Sequence, residues 1–327
     1  MAGHSAFGFK FETLTAIPDH VSKCLQLAIL LEVGAYPKPG NVHRTANFQE
    51  TIYEHFLASS VVLTPHFRNA AKQGVEAAQK KITLSQVSVG KIIKDAVVDV
   101  NAWQHGGNTL LGSIILLAPM AAAAGLTLGE DTSFSTEKFR KNLNSVVRFT
   151  TAEDAVNVYD AIAVAQPGGI GKSPQLDVTD ARSKQKILEE GISLFEIFKI
   201  SSSWDSISAE WVSNYHVTFD LGYPFFMQQL KDRNNVNMAT VHTYLKILSE
   251  IPDTLIIRKA GSNAAKRVST QANVALEDRG LTTRKGERSI AQLDRKLRDP
   301  AHKLNPGTTA DITSAVLAIA ILNGYRP

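Results

Sequence analysis

Four side chains that bind charge or move protons stand within about a dozen residues of one another: Glu32, Lys38, His43 and Arg44. The segment 37–40 reads Pro-Lys-Pro-Gly. Each proline disfavours a helical conformation in the residue before it, so the segment predicts a rigid, extended turn that holds Lys38 beyond the end of a helix. The same pattern is typical of a helix end followed by a solvated loop, because proline and glycine commonly end helices. These residues alone leave both interpretations open.

A glycine-rich turn with a lysine is a second candidate for chemistry. Residues 168–173 read Gly-Gly-Ile-Gly-Lys-Ser, which ends like a nucleotide-binding P-loop. Position 166 is Gln where that motif has its first glycine, and the preceding segment has a helical pattern where the motif needs a strand. We therefore reject the P-loop but keep Lys172 as a candidate phosphate contact, because the backbone N–H groups of such a turn can bind an anion. A simple helix stop is the alternative.

Two other kinds of site are excluded by the sequence. The nine histidines form no His-Glu-x-x-His motif, and Cys24 is the single cysteine, so no zinc pattern is present. No serine stands in a nucleophile elbow, which argues against a hydrolase of that type. A lone cysteine and the lack of a secretory signal predict a cytoplasmic protein.

Length and composition allow one large globular domain or two small ones, and the helical pattern described below favours a single domain over residues 1–327. Apolar residues make up 44% and charged residues 20% of the chain. The net charge of +4 is small and scattered, so we expect no nucleic-acid partner. The segment 106–129 has no charge and is long enough to cross a bilayer. Its small side chains and Pro119 favour a buried helix of a soluble protein, so we expect no membrane partner.

The spacing of apolar residues is helical in nearly every long segment. It predicts helices over 48–63, 85–100, from Asn108 through the uncharged segment, 151–164, 179–201, 206–219, 236–250, 264–276, 290–297 and 311–322. Thr151 and Asp154 have the spacing of a capping box, and Thr309 is predicted to cap the last helix. No hairpin signal occurs between alternating segments. The predicted fold is all-α, a single large multi-helix domain around a buried, central apolar helix.

Several separated motifs share their order and spacing with one known family. They are Glu32-Val33 with Pro37-Lys38-Pro39-Gly40, Gly107-Asn108-Thr109 with Gly112, Glu153-Asp154-Ala155, Pro167-Gly168-Gly169, Gly222-Tyr223-Pro224, Asp253-Thr254 with Arg258-Lys259 and Gly261, and Asn305-Pro306-Gly307-Thr308-Thr309-Ala310-Asp311. In this arrangement the chain resembles the triphosphoribosyl-dephospho-CoA synthase family, whose best-known members serve citrate lyase and malonate decarboxylase. The resemblance extends from about residue 20 to the C-terminus.

The resemblance implies an all-α transferase that uses ATP and 3′-dephospho-CoA, with Mg²⁺ as the expected cofactor. The ribose 2′-hydroxyl of dephospho-CoA attacks C1′ of the ATP ribose, adenine leaves, and the triphosphate stays on the product. Such a reaction needs cationic donors for the triphosphate, a general base for the hydroxyl proton and stabilisation of an oxocarbenium-like ribose.

The resemblance also implies roles for particular residues. The candidates for metal binding are Glu32, Asp154 and Asp311, and the candidates for catalysis are Glu32, Asp311 and His43. The candidates for substrate binding are Lys38, Arg44, Asn108, Lys172, Arg258, Lys259 and Asn305. Two alternatives stay open: Asp311 could be only a favourable charge near a helix start, and Asn108 could be only a helix cap.

Departures from the family pattern point to a divergent branch. Leu110 and Leu111 stand where familiar bacterial members have His-Lys, His43 replaces an Asp, and Arg258-Lys259 replaces a His-Arg pair. The acceptor is therefore less certain than nucleotide binding, with dephospho-CoA as the default. The alternatives are a Mg²⁺-dependent nucleotide hydrolase or phosphotransferase and a binding protein that has lost catalysis. Exposed apolar helix faces would also permit a homodimer.

Overall fold

A computed structural model describes residues 13–131, 133–171, 173, 175–299 and 301–327. Within these residues the chain forms sixteen α-helices. They are α1 (Ile17–Gly34), α2 (Tyr53–Val62), α3 (Thr64–Ala78), α4 (Val89–Trp103), α5 (Leu111–Glu130), α6 (Thr136–Arg148), α7 (Ala152–Ala165), α8 (Ala181–Glu190), α9 (Leu194–Ser201), α10 (Ser206–Val212), α11 (Tyr223–Arg233), α12 (Val236–Glu250), α13 (Thr254–Ala260), α14 (Ser262–Glu277), α15 (Arg284–Leu297) and α16 (Gly307–Leu322).

The remaining regular structure is a π-helix at Val217–Gly222 and short 3₁₀ turns at Leu14–Ala16, Leu84–Gln86 and Gly280–Thr282. In the described part of the chain no β-strand forms, and His43 and Ala46 make an isolated bridge. The predicted all-α fold is confirmed.

Helix α5 is the centre of the fold. It packs against α1, α3, α6 and α16, and 94% of its most apolar stretch is buried inside the protein. It approaches α3 closely because glycines face backbone on both helices. A Cβ at Gly74 would lie closer than 3.0 Å to Ala122 O, and one at Gly125 equally close to Ala71 O. The prediction of a buried central helix is confirmed.

A second apolar cluster joins the C-terminal helices α12 to α15. It includes Val241, Leu248, Ala265 and Leu293. The loop after α1 rests on this cluster, where the Tyr244 hydroxyl donates a hydrogen bond to the Pro39 carbonyl at 2.8 Å. The loop that the sequence singles out is thereby fixed between the two apolar clusters.

Some predicted helix boundaries are wrong for local reasons. The segment 48–63 becomes helical only at Tyr53, whose N–H is taken by the Asn47 side chain at 2.9 Å. The segment 179–201 is two helices, because Gly191 adopts a left-handed conformation (φ 66°) after Glu190. The segment 206–219 divides into α10 and the π-helix. Helix α16 begins at Gly307, before the predicted cap Thr309.

Candidate functional site

A cavity of about 510 Å³ opens where the N-terminal ends of α5 and α16 meet α13 and the C-terminal ends of α7 and α9. This volume lies in the range of small-molecule sites. Six of the residues that the sequence singled out line it: Glu32, Asn108, Arg258, Lys259, Asn305 and Asp311. Much of the remaining lining is apolar and includes Phe48, Phe56, Ile162, Ile197, Ile200, Trp204 and Ile207.

Asp311 lies in the second turn of α16 and faces the start of α5. The Ser113 hydroxyl donates a hydrogen bond to Asp311 Oδ1 at 2.6 Å. A Cβ on Gly112 would lie closer than 3.0 Å to Asp311 Oδ2, so the carboxylate needs a glycine at this position. Burial raises the pKa of Asp311 to about 7, helped by the negative charges of Glu32 and Asp253 and opposed by Ser113. Asp311 can therefore exchange a proton near neutral pH.

Glu32 lies in the last turn of α1 and lines the cavity, and its carboxylate is bonded to the Lys38 ammonium. Lys38 Nζ donates to the Glu32 carboxylate and also to the Glu32 backbone carbonyl at 3.0 Å. Burial raises the pKa of Glu32 and lowers the pKa of Lys38, and each charge opposes the shift of the other. Glu32 and Lys38 thus form a buried ion pair in which each charge compensates the other.

Lys38 does not line the cavity, and its side chain is 1% exposed. The turn was predicted to hold Lys38 beyond the end of the helix. It instead folds Lys38 back onto the last turn of α1, where the carbonyl groups at a helix C-terminus attract a cation. The structure therefore gives Lys38 no direct path to a phosphate.

His43 and Arg44 also lie outside the cavity wall. His43 is buried, and Arg298 Nη2 lies 3.2 Å from His43 Nε2. Burial, together with the positive charge of Arg298, lowers the pKa of His43 to about 4, so the imidazole is neutral at pH 7. Arg44 is exposed, with its guanidinium carbon 5.5 Å from the centre of the Tyr36 ring. Their expected roles in catalysis and substrate binding have no geometric support.

Asp154 lies away from the cavity, where it connects α4 and α7. Its carboxylate accepts hydrogen bonds from Thr151 N at 2.8 Å and from Gly90 N at 2.7 Å, so it caps α7 and ties it to α4. The capping box is confirmed. The three carboxylates that are candidates for metal binding are not brought together, and the described residues contain no cluster of three or more metal-ligating side chains. Glu32 and Asp311 remain together at the cavity.

Arg258 and Lys259 form the cationic edge of the cavity in the last turn of α13. Arg258 pairs with Asp205 at 2.5 Å, and Lys259 Nζ donates to the His302 carbonyl at 3.3 Å. Burial, and then the charge of Arg258, lower the pKa of Lys259. Lys172, the other predicted phosphate contact in this region, lies outside the described residues.

The glycine-rich turn after α7 packs on this cationic edge. A Cβ on Gly168 would lie 3.0 Å from Lys259 Cε, and a Cβ on Gly169 would lie 3.3 Å from Arg258 Cβ. Small residues here let the turn approach the two cations closely. The tertiary structure thus joins two motifs that are about ninety residues apart in the chain.

The two asparagines of the cavity also hold the backbone. Asn108 Oδ1 accepts a hydrogen bond from Leu111 N at 3.1 Å at the start of α5, so it lines the cavity and caps the helix. Asn305 Nδ2 donates to the Gly40 carbonyl at 2.7 Å and fixes the loop after α1 beside the start of α16. The polar groups that sequence reasoning missed are Ser113, Asp253 and Thr309. Their signal was their place inside or next to the family motifs, and Thr309 was predicted only as a helix cap.

Residues 18–327 match the family model described as CitG: ATP:dephospho-CoA triphosphoribosyl transferase. The chain belongs to this family. A protein of Pseudomonas fluorescens (strain Pf0-1), named "Probable 2-(5''-triphosphoribosyl)-3'-dephosphocoenzyme-A synthase", is 22% identical over 294 residues, 89% of this chain and 88% of that protein. A Malonomonas rubra protein of the same name is 22% identical over 305 residues, 93% of this chain and 87% of that protein.

A crystal structure of an Archaeoglobus fulgidus protein named "putative triphosphoribosyl-dephospho-coA synthase" has the same fold. Its TM-score is 0.60 at 23% sequence identity, covering 83% of this chain and all of that chain. The family resemblance drawn from the motifs is confirmed, and the low identities agree with a divergent branch.

The two leucines that stand where the family resemblance leads us to expect His-Lys lie inside the cavity. Leu110 and Leu111 are 4% and 9% exposed, and both line the cavity at the start of α5. They place apolar surface directly before Gly112 and Ser113 in the chain, the two residues that contact Asp311. With leucine at positions 110 and 111, this chain offers neither an imidazole nor an ammonium at this part of the cavity.

Proposed function

We propose that this protein transfers the triphosphoribosyl group of ATP to the ribose 2′-hydroxyl of 3′-dephospho-CoA and releases adenine. Family membership supports the reaction class. The observation that carries the proposal is the Asp311 carboxylate, which faces the cavity with a pKa of about 7. A base with that pKa is suited to accept a hydroxyl proton at neutral pH.

Asp311 accepts the proton as the 2′-oxygen of the acceptor attacks C1′ of the ATP ribose. The new O–C1′ bond forms while the bond from C1′ to adenine breaks, and adenine leaves with that electron pair and takes up a proton. C1′ gains positive charge on the way, as in glycoside cleavage.

The cationic edge of α13 binds the triphosphate. Arg258 offers a planar guanidinium, which suits phosphate oxygens, and Lys259 adds a second cation. Because Arg258 is paired with Asp205, phosphate binding exchanges one anionic partner for another. The triphosphate then extends from this edge toward the wall that holds Glu32 and Asp311.

Mg²⁺ fits the donor set at this wall. Mg²⁺ is usually bound by one or two carboxylates together with substrate phosphates, and it does not need a cage of three protein ligands. Glu32 is the residue that would hold it, since Glu32 is a hard oxygen donor on the cavity wall. When bound, Mg²⁺ supplies positive charge against the triphosphate oxygens.

The apolar part of the cavity receives the uncharged groups of the substrates. Leu110, Leu111 and Trp204 offer surface for a base or an alkyl chain and no charge for a phosphate. Dephospho-CoA remains the proposed acceptor. The predicted cytoplasmic location and homodimer stay predictions.

A nucleotide product assay tests the proposal. Purified protein is incubated with Mg²⁺ and ATP, with and without 3′-dephospho-CoA, and products are identified by mass. We expect free adenine and triphosphoribosylated dephospho-CoA, formed only when both substrates are present. ADP or AMP without adenine would identify a hydrolase or phosphotransferase instead. ATP binding without any product would identify a binding protein, or an acceptor other than dephospho-CoA.

A further inference from the structure

The Asp253 carboxylate joins the two helices that carry the cations and the proposed base. Its Oδ1 accepts hydrogen bonds from Leu255 N at 2.9 Å and Ile256 N at 3.1 Å, which caps α13. Its Oδ2 accepts from Thr309 N and Thr309 Oγ1, each at 2.8 Å, in the first turn of α16. The Asp253 side chain does not line the cavity, and the residue is 2% exposed.

A second contact beside Asp253 strengthens the same connection. Thr254 Oγ1 lies 3.3 Å from Thr308 Oγ1 and accepts a hydrogen bond from Ser206 N at 3.2 Å. The cap residue Asp253 and the first residue of α13, Thr254, therefore contact Thr309 and Thr308, which are neighbours in α16. Buried, fully bonded polar networks fix the relative position of the elements they join.

Each helix carries part of the site within two turns of this contact. Arg258 and Lys259 follow Asp253 on α13, and Asp311 follows Thr309 on α16. We propose that Asp253 and Thr309 form a joint that sets the cations of α13 at the correct distance from Asp311. Asp253 is then a positioning residue for transfer. This inference rests on the proposed function, since it assigns phosphate binding to α13 and proton transfer to Asp311.

The joint needs a carboxylate on one side and a donor on the other. Asn at 253 keeps an oxygen for the α13 cap, and Asn is a good cap residue. Its amide group would present N–H donors to Thr309 N–H, so the bond to α16 is lost while α13 stays capped. Thr309→Val removes the hydroxyl donor and Thr309→Ser keeps it.

The kinetic test compares Thr309→Val with Thr313→Val. Thr313 is one turn further along α16 and is buried, and its hydroxyl donates to the Thr309 carbonyl within its own helix, so it controls for loss of a threonine hydroxyl. We expect Thr309→Val to lower kcat for adenine release about 10-fold with KM for ATP within about twofold, because small misplacements of reacting groups cost rate. Thr309→Ser and Thr313→Val should keep the wild-type kcat. Equal kcat in the two valine variants, or a change in KM alone, would overturn the joint.

Hydrogen exchange tests the joint without reference to activity. We expect Asp253→Asn to speed exchange of the Thr309 amide at least about 10-fold, because that amide loses its buried acceptor. Amides of α12 should exchange as in the wild-type protein. An unchanged Thr309 amide would overturn the joint even in an active enzyme. If the wild-type protein releases no adenine, the proposed function fails, and the exchange rates alone decide whether the joint exists.

Discussion

The Lys38 ammonium donates to both the carboxylate and the backbone carbonyl of Glu32, on the side of Glu32 that faces away from the cavity. Lys38 therefore acts on the site through Glu32. It compensates the charge of a buried carboxylate and holds it against the end of α1. Because the ammonium already donates to two acceptors of Glu32 at the end of α1, it is poorly placed to bind a phosphate.

Loss of Lys38 should destabilise the protein because it leaves Glu32 buried and uncompensated. We expect Lys38→Met to lower the free energy of unfolding by about 3–5 kcal/mol, the usual cost of breaking a buried pair. The double variant Lys38→Met with Glu32→Gln should recover more than half of this loss. Urea denaturation measures both values.

Lys246→Met is the matched control for this experiment. Its partner Glu250 lies one turn along an exposed helix face, and the two side chains are 29% and 49% exposed. Such surface pairs contribute less than about 1 kcal/mol. A Lys38→Met variant as stable as Lys246→Met would contradict the buried-pair interpretation.

Asp311 should control how activity depends on pH. With a pKa of about 7, its carboxylate is protonated and inactive as a base at lower pH. We expect kcat/KM to rise about tenfold per pH unit below pH 7 and to level off above it. Asp311→Asn should lower kcat by about 10²–10⁴ and remove this limb of the profile. A profile that is the same in Asp311→Asn would assign the base elsewhere.

The raised pKa of Asp311 also makes the stability of the protein depend on pH. Stability falls as the pH rises, whereas an ion-paired carboxylate with a lowered pKa makes stability rise with pH. The pKa of Asp311 is raised in the folded protein from the ordinary aspartate value of 3.8 to about 7. Between these values the folded state holds a proton that the unfolded state has released, so stability falls as the pH rises from about 4 to about 7. Asp311→Asn should therefore be more stable than the wild-type protein by about 1–3 kcal/mol at pH 8, with little difference at pH 4. Urea denaturation at both pH values measures this.

Gly112→Ala tests whether position 112 is a glycine because of the Asp311 carboxylate, since the stability of the helix alone would favour alanine. Alanine suits a helix better than glycine by about 1 kcal/mol, so the helix itself favours the change. The new Cβ would, however, overlap Asp311 Oδ2. We expect kcat to fall at least about 10-fold with little loss of stability, because the carboxylate must move. Gly34→Ala is the control, since its Cβ would meet Tyr53 Oη at an ordinary 3.6 Å. Full activity in Gly112→Ala would show that Asp311 need not lie where it does.

The helices were largely predictable because apolar periodicity and caps are local properties of the chain. Thr151 and Asp154 form the predicted capping box, and α5 is buried as its uncharged sequence indicates. Some boundaries failed at local features, such as the Asn47 side chain before α2 and the left-handed Gly191 after α8, and the start of α16 failed where a distant partner is involved. Thr309 has the residue type of a helix cap, yet its hydroxyl bonds to Asp253, which lies 56 residues earlier in the chain.

The sequence by itself determined the fold class, the family and which motifs contain the site, since these follow from residue types in a fixed order. Only the tertiary structure decided which polar residue faces the cavity. Asp154 and Asp311 are both acidic residues close to helix starts, but the first ties α4 to α7 while the second faces the cavity beside Ser113. The direction in which a side chain points depends on the elements packed around it, and no local pattern encodes that packing.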